Sequence, residues 1–258
     1  MRLFREKKWP HWISETQFKT PNLSFETQVA NFKRKTSEEV IQLLKPRRFL
    51  ETYDRYAKDA KRILEIGFFQ GGMPLYFADT TKAEKIVAVD FGSVPDPVSQ
   101  IIASKGLSSR VSLYGTVDQA NTERMREILL AELGDHSLDL VTDDASHRYE
   151  PTKRSFETCF SYLRPGGVFI IEDWGWSHWG GGKYVKQHKL LSTEPVPLSQ
   201  LILEIVLAQS AQPELIRKVE VIKGMVIITR GEGLKHGEHF ALDELTQTWP
   251  IAFLQRPS

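Results

Sequence analysis

Cysteine is almost absent from this sequence, since Cys159 is the single one among 258 residues. One cysteine cannot form an internal disulfide, which excludes the disulfide-stabilised secreted scaffolds and fits a reducing compartment. No uninterrupted apolar run approaches the roughly 18 residues of a transmembrane helix. The opening stretch, MRLFREKKWPHW, is charged and lacks the apolar core of a signal peptide. These absences predict a soluble protein, with the cytoplasm as its expected compartment.

The chain also lacks an excess of charge of either sign, with 34 basic and 33 acidic side chains. A balanced charge does not attract nucleic acid or an acidic membrane surface, so we expect a small-molecule partner instead. Residues 1–48 are an exception, because they hold eleven Lys or Arg against five Glu. Within them the segment SEEVIQLLK (37–45), which opens with Ser37 as a possible cap, predicts a helix. We therefore expect a helical N-terminal extension (1–50), packed on a main domain (51–258), covering the active site or joining subunits of a homo-oligomer.

From about residue 60, short apolar runs alternate with segments of helical pattern. Continuous apolar strands indicate a sheet covered on both faces, and strand–helix alternation indicates a parallel, doubly wound sheet. Two last runs, separated by about one residue, predict an antiparallel hairpin at the sheet edge. The predicted fold is α/β, with a Rossmann-like seven-stranded sheet. The runs are RILEIG (62–67), IVAVD (86–90), RVSLYG (110–115), LDLVTDD (138–144), GVFIIED (167–173), LIRKVEVI (215–222) and GMVIITRG (224–231), and helices are predicted near 72–79, 97–105, 121–133, 152–163 and 197–210.

A dinucleotide-binding G-x-G-x-x-G motif is absent after the first of these strands. Counting from Gly67, the middle glycine position is Phe69, whose side chain would block a pyrophosphate. The pattern is instead acid-x-Gly-x-x-x-Gly, from Glu65 to Gly71, which suits a ligand with a charged amino-acid tail and no phosphate. The next strand ends in Asp90, where a carboxylate can accept hydrogen bonds from ribose hydroxyls.

The glycine loop, Asp90, the seven strands and the terminal hairpin together resemble the class I S-adenosylmethionine (SAM)-dependent methyltransferases. The resemblance implies that Glu65, Gly67 and Gly71 lie near the methionine moiety, with Asp90 on the ribose. It implies further cofactor contacts near the ends of the third and fourth strands. Alternatively, Glu65 pairs with a neighbouring base, Lys61 or Arg62, and Gly71–Gly72 is only a turn. The further candidates are Asp118 and Gln119 beside the adenine, and Asp143, which either faces the cofactor through its backbone or caps the next turn.

Acidic side chains end two strands that we expect to be neighbours, Asp144 on the fourth and Glu172 and Asp173 on the fifth. Three converging carboxylates repel one another and raise one another's pKa, and no basic residue lies adjacent in sequence to relieve this. A divalent metal would relieve it, and all-oxygen ligation favours a hard ion such as Mg²⁺. His147 lies three residues after Asp144, so a turn places both on one side, where a neutral imidazole can remove a proton from a substrate hydroxyl.

The same residues narrow the resemblance. D-D-A-S-H, followed 28 residues after Asp144 by E-D-W, resembles the Mg²⁺-dependent sugar O-methyltransferases of macrolide pathways, of mycinamicin and macrocin type, and cephalosporin-hydroxylase-like relatives. The resemblance covers roughly residues 60–185. It implies that Asp144, Glu172 and Asp173 bind the metal, that His147 is the catalytic base, and that the acceptor is a glycoside or polyol.

A long aromatic segment, residues 174–198, follows the fifth strand and predicts a lid or binding loop. Indole faces stack on sugar rings, so its aromatic residues are candidate substrate contacts, although at least one of them is expected to anchor the loop. Glycines 180–182 would supply a hinge. The candidates are Trp174, Trp176, His178 and Trp179.

Other interpretations stay open at this point. Consecutive strand residues face opposite sides, so Glu172 and Asp173 can share a metal only if the strand has already bent. Otherwise Asp173 caps a loop and His147 is a surface histidine. A catechol-type O-methyltransferase is possible, as is a non-haem iron hydroxylase using His147, Asp144 and a second histidine such as His178. A protein that binds the cofactor without chemistry is the third alternative.

Overall fold

The structure, a computed structural model, describes residues 9–27, 33–178 and 195–245. Strands β1 to β4 (His11–Trp12, Gln17–Lys19, Ser24–Thr27 and Ile41–Leu43) form a small sheet in that order. The helices are α1 Arg47–Ala57, α2 Gly72–Thr80, α3 Asp96–Ser104, α4 Thr122–Leu133, α5 Tyr149–Phe160 and α6 Leu198–Ala211, with two 3-10 turns at Trp176–His178 and Leu242–Glu244. None of the helices in these ranges is long and apolar enough to cross a membrane.

A second, seven-stranded sheet forms the centre of the molecule. Its strands are β5 Arg62–Ile66, β6 Lys85–Val89, β7 Val111–Tyr114, β8 Leu138–Asp143, β9 Leu163–Glu172, β10 Ile216–Ile222 and β11 Met225–Arg230. Their order is β10-β11-β9-β8-β5-β6-β7. Strands β5 to β9 are parallel, and the β10–β11 hairpin is antiparallel to them at one edge. The predicted fold class is confirmed.

The strands are continuously apolar because both faces of the sheet are covered. In β5, Leu64 and Ile66 belong to the core on one face, and Ile63 belongs to the core on the other. All three side chains are 0 or 1% exposed. The first of these cores includes residues of α4, α5 and α6, and the second includes residues of α1, α2 and α3.

The helix predicted at SEEVIQLLK is wrong. Ile41–Leu43 is strand β4, paired in parallel with β3, and the Ser37 hydroxyl accepts a 3.2 Å hydrogen bond from the Val40 amide in a turn. The local pattern suits either structure, but the neighbouring strand supplies backbone partners, so the tertiary context outweighs helix propensity. The N-terminal segment is thus mainly a sheet, with its helix, α1, beginning only at Arg47.

The small sheet packs directly on α2 of the main domain. Phe18 and Phe25 stack with ring centroids 5.1 Å apart, and the Tyr76 ring meets each of them edge-on at 5.9 Å. Asp79, also on α2, accepts hydrogen bonds from the turn between β2 and β3, at 2.8 Å from the Asn22 amide and 3.1 Å from the Leu23 amide. These contacts fix the small sheet on α2 of the main domain.

We predict that Asp79→Ala destabilises the protein by about 1–3 kcal/mol, because the amides of Asn22 and Leu23 in the β2–β3 turn lose a charged acceptor. Urea denaturation of both proteins measures the difference. Asp59→Ala, at an exposed position after α1, is the matched control and should change the unfolding free energy by less than about 0.5 kcal/mol. Equal effects of the two substitutions would contradict the packing role of Asp79.

Candidate active site

A cleft of about 1110 Å³ opens at the carboxyl ends of β5, β6, β8 and β9. This is where open α/β sheets bind their ligands. One half is lined by the loops after β5, β6 and β7, and the other half by acids, bases and aromatics from β8, β9 and the N-terminal segment. The lining residues include Gly67, Phe69, Asp90, Phe91, Asp118, Gln119, Asp144, His147, Glu172, Asp173, Trp176, Lys223, Arg48 and Phe49.

Gly67 and Gly71 are required by backbone geometry. Gly67 has a φ of +94°, and a Cβ there would lie 2.5 Å from the Asp144 carbonyl oxygen. Gly71, with a φ of +75°, precedes α2, and its Cβ would lie 2.6 Å from the Val98 side chain. The first loop therefore packs against the D-D-A-S-H turn as well as bordering the cleft.

Asp90 stands at the cleft wall with both carboxylate oxygens held by backbone amides. The Phe69 amide donates to Oδ2 and the Gly92 amide donates to Oδ1, each at 2.7 Å. Asp118 and Gln119 line the same half of the cleft. The two amides fix the Asp90 carboxylate at the cleft wall. The contact between Asp90 and a ribose stays a prediction.

Glu65 is a buried residue, with 2% of its surface exposed. Lys61 and Arg62 pair with Glu84 rather than with it, so the proposed neighbouring ion pair does not form. Its Oε2 has no hydrogen-bond partner among the described residues. Burial raises the pKa of Glu65 well above its ordinary value, against the opposing charge of Lys45.

Asp143 is buried behind the cleft, where it holds the turn that follows it. It accepts hydrogen bonds from Gln119 Nε2 at 2.9 Å, from Ser155 Oγ at 2.6 Å and from the Ala145 amide at 3.3 Å. Gln119 Oε1 in turn accepts from the Ser146 amide at 2.9 Å. Burial raises the pKa of Asp143 to about 7. Of the two predicted roles for Asp143, these bonds favour the turn cap.

Three cleft residues other than glycine have left-handed backbones: Phe69 (φ 46°), His147 (φ 54°) and Asp173 (φ 55°). Such conformations are strained for residues with a Cβ, and they cluster at functional sites. Strand β9 ends at Glu172, so the chain has left the strand at Asp173. Because of this bend, Glu172 and Asp173 both line the cleft, although consecutive residues of a regular strand would face opposite sides.

Asp144, His147 and Asp173 form a group that could hold a metal ion. One ligand atom from each lies within 4.8 Å of the others. His147 Nε2 is 3.7 Å from Asp144 Oδ1. Two carboxylates and one imidazole suit a divalent cation, and the described group holds a single histidine. His178, the second histidine that an iron centre would need, is hydrogen-bonded to Ser199 Oγ at 2.6 Å instead.

A buried lysine, which the sequence did not single out, lies between the acids. The Lys45 ammonium donates hydrogen bonds to Asp144 Oδ2 and Glu172 Oε1, and the Tyr53 hydroxyl donates to the same Glu172 oxygen. Lys45 is 4% exposed. Burial alone would lower the pKa of Lys45, but Asp144 and Glu172 outweigh it and raise that pKa above its ordinary value. Lys45 follows an apolar run, which is the only signal the sequence offers for its burial.

One ammonium does not balance the acids around it. Burial, and then Asp144, raise the pKa of Glu172 to about 7 and that of Asp173 to about 8. Because three carboxylates surround one ammonium, a second positive charge nearby would stabilise their ionised forms. The donor set and the charge of the site therefore fit a divalent cation.

The aromatic segment divides between anchoring and cleft lining. Trp174 Nε1 donates to the Ile222 carbonyl at 3.3 Å, and its ring packs on the core, so Trp174 anchors the segment. Trp176 lines the cleft with its ring centroid 4.6 Å from that of His147. Trp179 and residues 180–194, with the predicted hinge, lie outside the described residues.

Comparison with known proteins agrees with this geometry. A family model described as a methyltransferase domain matches residues 64–174, from β5 to just past β9. The matched segment includes the glycine loop, Asp90, Asp144, His147, Glu172 and Asp173.

Curated relatives of the methyltransferase domain match over short segments. L-olivosyl-oleandolide 3-O-methyltransferase of Streptomyces antibioticus is 38% identical over 82 residues, which are 31% of this chain and 20% of that protein. Demethylmacrocin O-methyltransferase of Streptomyces fradiae is 44% identical over 43 residues, 17% of this chain and 11% of that one. The chain thus spans a fifth or less of the length of these relatives.

A solved structure matches over more of the chain. The MycE methyltransferase from the mycinamycin biosynthetic pathway, in complex with Mg and SAH, superposes with a TM-score of 0.51 and 25% identity, over 78% of this chain and 52% of that one. The resemblance to the macrolide-type methyltransferases, predicted from D-D-A-S-H and E-D-W, is confirmed.

We predict that Gly67→Ala removes SAH binding and destabilises the methyltransferase domain by about 1–3 kcal/mol, because its Cβ would collide with the backbone at Asp144. Calorimetric titration with SAH and thermal melting measure both effects. Gly106→Ala is the matched control, since Gly106 also has a positive φ (+66°) but nothing within 4 Å of its Cβ. SAH binding that survives in Gly67→Ala would contradict the predicted role of the glycine loop in cofactor binding.

Proposed function

We propose that this protein is a SAM-dependent O-methyltransferase that uses a divalent cation to methylate a hydroxyl of a glycosyl group, in natural-product biosynthesis. The observation that carries the proposal is the convergence of Asp144, His147 and Asp173 in one cleft, at the ends of adjacent strands of a methyltransferase domain. Relatives named as O-methyltransferases of glycosylated macrolides support the acceptor class.

The cofactor half of the cleft would place SAM along the ends of β5, β6 and β7. Asp90 is oriented for the ribose hydroxyls, and Phe91, Asp118 and Gln119 surround the space beyond it. Gly67 lets the first loop pack directly on the D-D-A-S-H turn, so a methionine end bound at that loop would lie next to Asp144 and His147. The methyl group would then face the acidic half of the cleft.

Asp144 and Asp173 are the carboxylates best placed to hold the cation, and Glu172, the third predicted ligand, is already bonded to Lys45 and Tyr53. A bound Mg²⁺ would lower the pKa of a hydroxyl that contacts it. The structurally similar MycE methyltransferase was solved with Mg and SAH, which supports this assignment.

His147 is positioned to accept the hydroxyl proton on Nε2. Asp144 Oδ1, 3.7 Å from that nitrogen, would stabilise the imidazolium that forms. The left-handed backbone at His147 and the Trp176 ring beside it hold the imidazole over the cleft. Positioning the hydroxyl and the methyl group in line would supply most of the remaining acceleration.

The acceptor would enter the half of the cleft that is lined by Trp176 and by Arg48 and Phe49 of the N-terminal segment. An indole ring packs well on the apolar face of a sugar. Trp176 is therefore the substrate contact we propose among the described aromatics, whereas a homo-oligomer contact of the N-terminal segment stays a prediction.

The proposal is tested with purified protein, methyl-labelled SAM and a panel of glycosides and catechols, in Mg²⁺ and in EDTA. We expect label transfer to a glycoside that stops in EDTA and returns with added Mg²⁺. Transfer that ignores the chelator would overturn the role of the cation, and transfer to catechols alone would overturn the acceptor class.

We predict that His147→Ala lowers kcat by roughly 100- to 10,000-fold, because the hydroxyl proton loses its acceptor. SAH affinity should stay within about threefold, since His147 contributes to the acceptor half of the cleft. His136→Ala, in the exposed turn before β8, is the control and should retain kcat. Full turnover in His147→Ala would show that another group is the base.

A further inference from the structure

We propose that Lys45 is a positioning residue that acts as a built-in cation of the active site. It neutralises Glu172 and one oxygen of Asp144, and it competes electrostatically with the divalent cation bound by Asp144 and Asp173. This inference rests on the cation site of the proposed function. It assigns Glu172 to Lys45 and Tyr53 rather than to the metal.

The backbone fixes Lys45 in this position. The residue lies just after β4, and its amide donates to the Leu43 carbonyl at 2.8 Å. Pro46 follows, and α1 begins at Arg47. The ammonium lies 5.9 Å from the centroid of the Tyr53 ring, whose hydroxyl shares the Glu172 oxygen. The backbone of Lys45 is therefore fixed by the end of β4, and its ammonium is fixed by the buried acids.

The two oxygens of Asp144 have different partners. Oδ2 accepts from the Lys45 ammonium, whereas Oδ1 lies 3.7 Å from His147 Nε2. The carboxylates of the candidate metal group are Asp144 and Asp173, with His147 beside them, and the hydrogen bonds of Lys45 go to Asp144 and Glu172. Asp144 lies between two positions for positive charge, one filled by Lys45 and one available to a metal.

The acids around Lys45 outnumber it, so a metal ion could bind beside the lysine without making the site positive. Glu65, Asp144, Glu172 and Asp173 all interact electrostatically with Lys45. Two cations a few ångströms apart repel each other, so Lys45 weakens metal binding. In return it keeps the buried acids paired when no metal is bound, which stabilises the metal-free fold.

The test compares metal binding and melting of Lys45→Met and the wild-type chain, using Mn²⁺ as the probe. Calorimetric titration should show Mn²⁺ binding at least about tenfold tighter in Lys45→Met, because the competing charge is gone. Its melting temperature in EDTA should fall below that of the wild type and should rise more on adding Mg²⁺. Unchanged or weaker Mn²⁺ binding would overturn the proposal.

Lys223→Met is the matched control, because Lys223 is exposed and lines the same cleft. Its Mn²⁺ affinity should stay within about threefold of the wild type, since an exposed charge is screened by solvent. An effect equal to that of Lys45→Met would show that any nearby positive charge acts in this way and would overturn a specific role for Lys45.

The double variant Lys45→Met/Glu172→Met covers the case in which Lys45→Met does not fold. Replacing both members of a buried ion pair by apolar side chains is often tolerated. If Lys45 cancels Glu172, the double variant should bind Mn²⁺ within about threefold of the wild type. Lost binding would make Glu172 a metal ligand and overturn the assignment.

These readouts involve no methyl transfer, so the two proposals fail separately. A wild-type protein that binds Mn²⁺ with the expected Lys45 effects, yet transfers no methyl group, overturns the proposed function alone. A protein that transfers methyl groups in a Mg²⁺-dependent way but lacks those effects overturns the role of Lys45 alone.

Discussion

The interaction on which this site depends is the pairing of one buried ammonium with acids from two neighbouring strands. Lys45 bonds Asp144 after β8 and Glu172 at the end of β9, and all three side chains are largely withdrawn from water. Unpaired, those carboxylates would destabilise the fold by their burial and mutual repulsion. Asp173 lies beside them, so the carboxylates outnumber the ammonium, and this excess of acids makes the site suited to a further cation.

The N-terminal segment belongs to the active site because it supplies this lysine. Its sheet is fastened to α2 by aromatic packing and by Asp79, and the chain then passes from β4 to Lys45 and α1. Tyr53 on α1 reaches the same carboxylate, while Arg48 and Phe49 line the cleft. A segment whose composition differs from that of the main domain thus contributes both a charge and a wall to the site.

Strained backbone positions complete the arrangement. His147 in the turn after β8 and Asp173 directly after β9 both have left-handed backbones, and both side chains line the cleft. Asp143 and Gln119, buried behind them, hold the turn with hydrogen bonds to Ala145 and Ser146. The groups that we propose to act on a substrate are therefore positioned by buried residues behind them that do not need to touch it.

Much of the fold and part of the site could be predicted from local sequence patterns. Apolar runs and their alternation with helices predicted the seven strands, the five helices after residue 60 and the hairpin, because period and turn chemistry are local properties. The same locality placed Gly67, Asp90, Asp144 and His147 at strand ends, where a parallel sheet forms its cleft.

The tertiary structure alone decided which charges meet. Lys45 lies 99 residues before Asp144, and no spacing in the sequence indicates their contact. The segment around Ile41 became a strand because β3 lay beside it, against its local pattern. The sequence by itself determined the strands and the acids at their ends, whereas long-range packing determined the partner of each acid, since burial and charge pairing depend on residues that are distant along the chain.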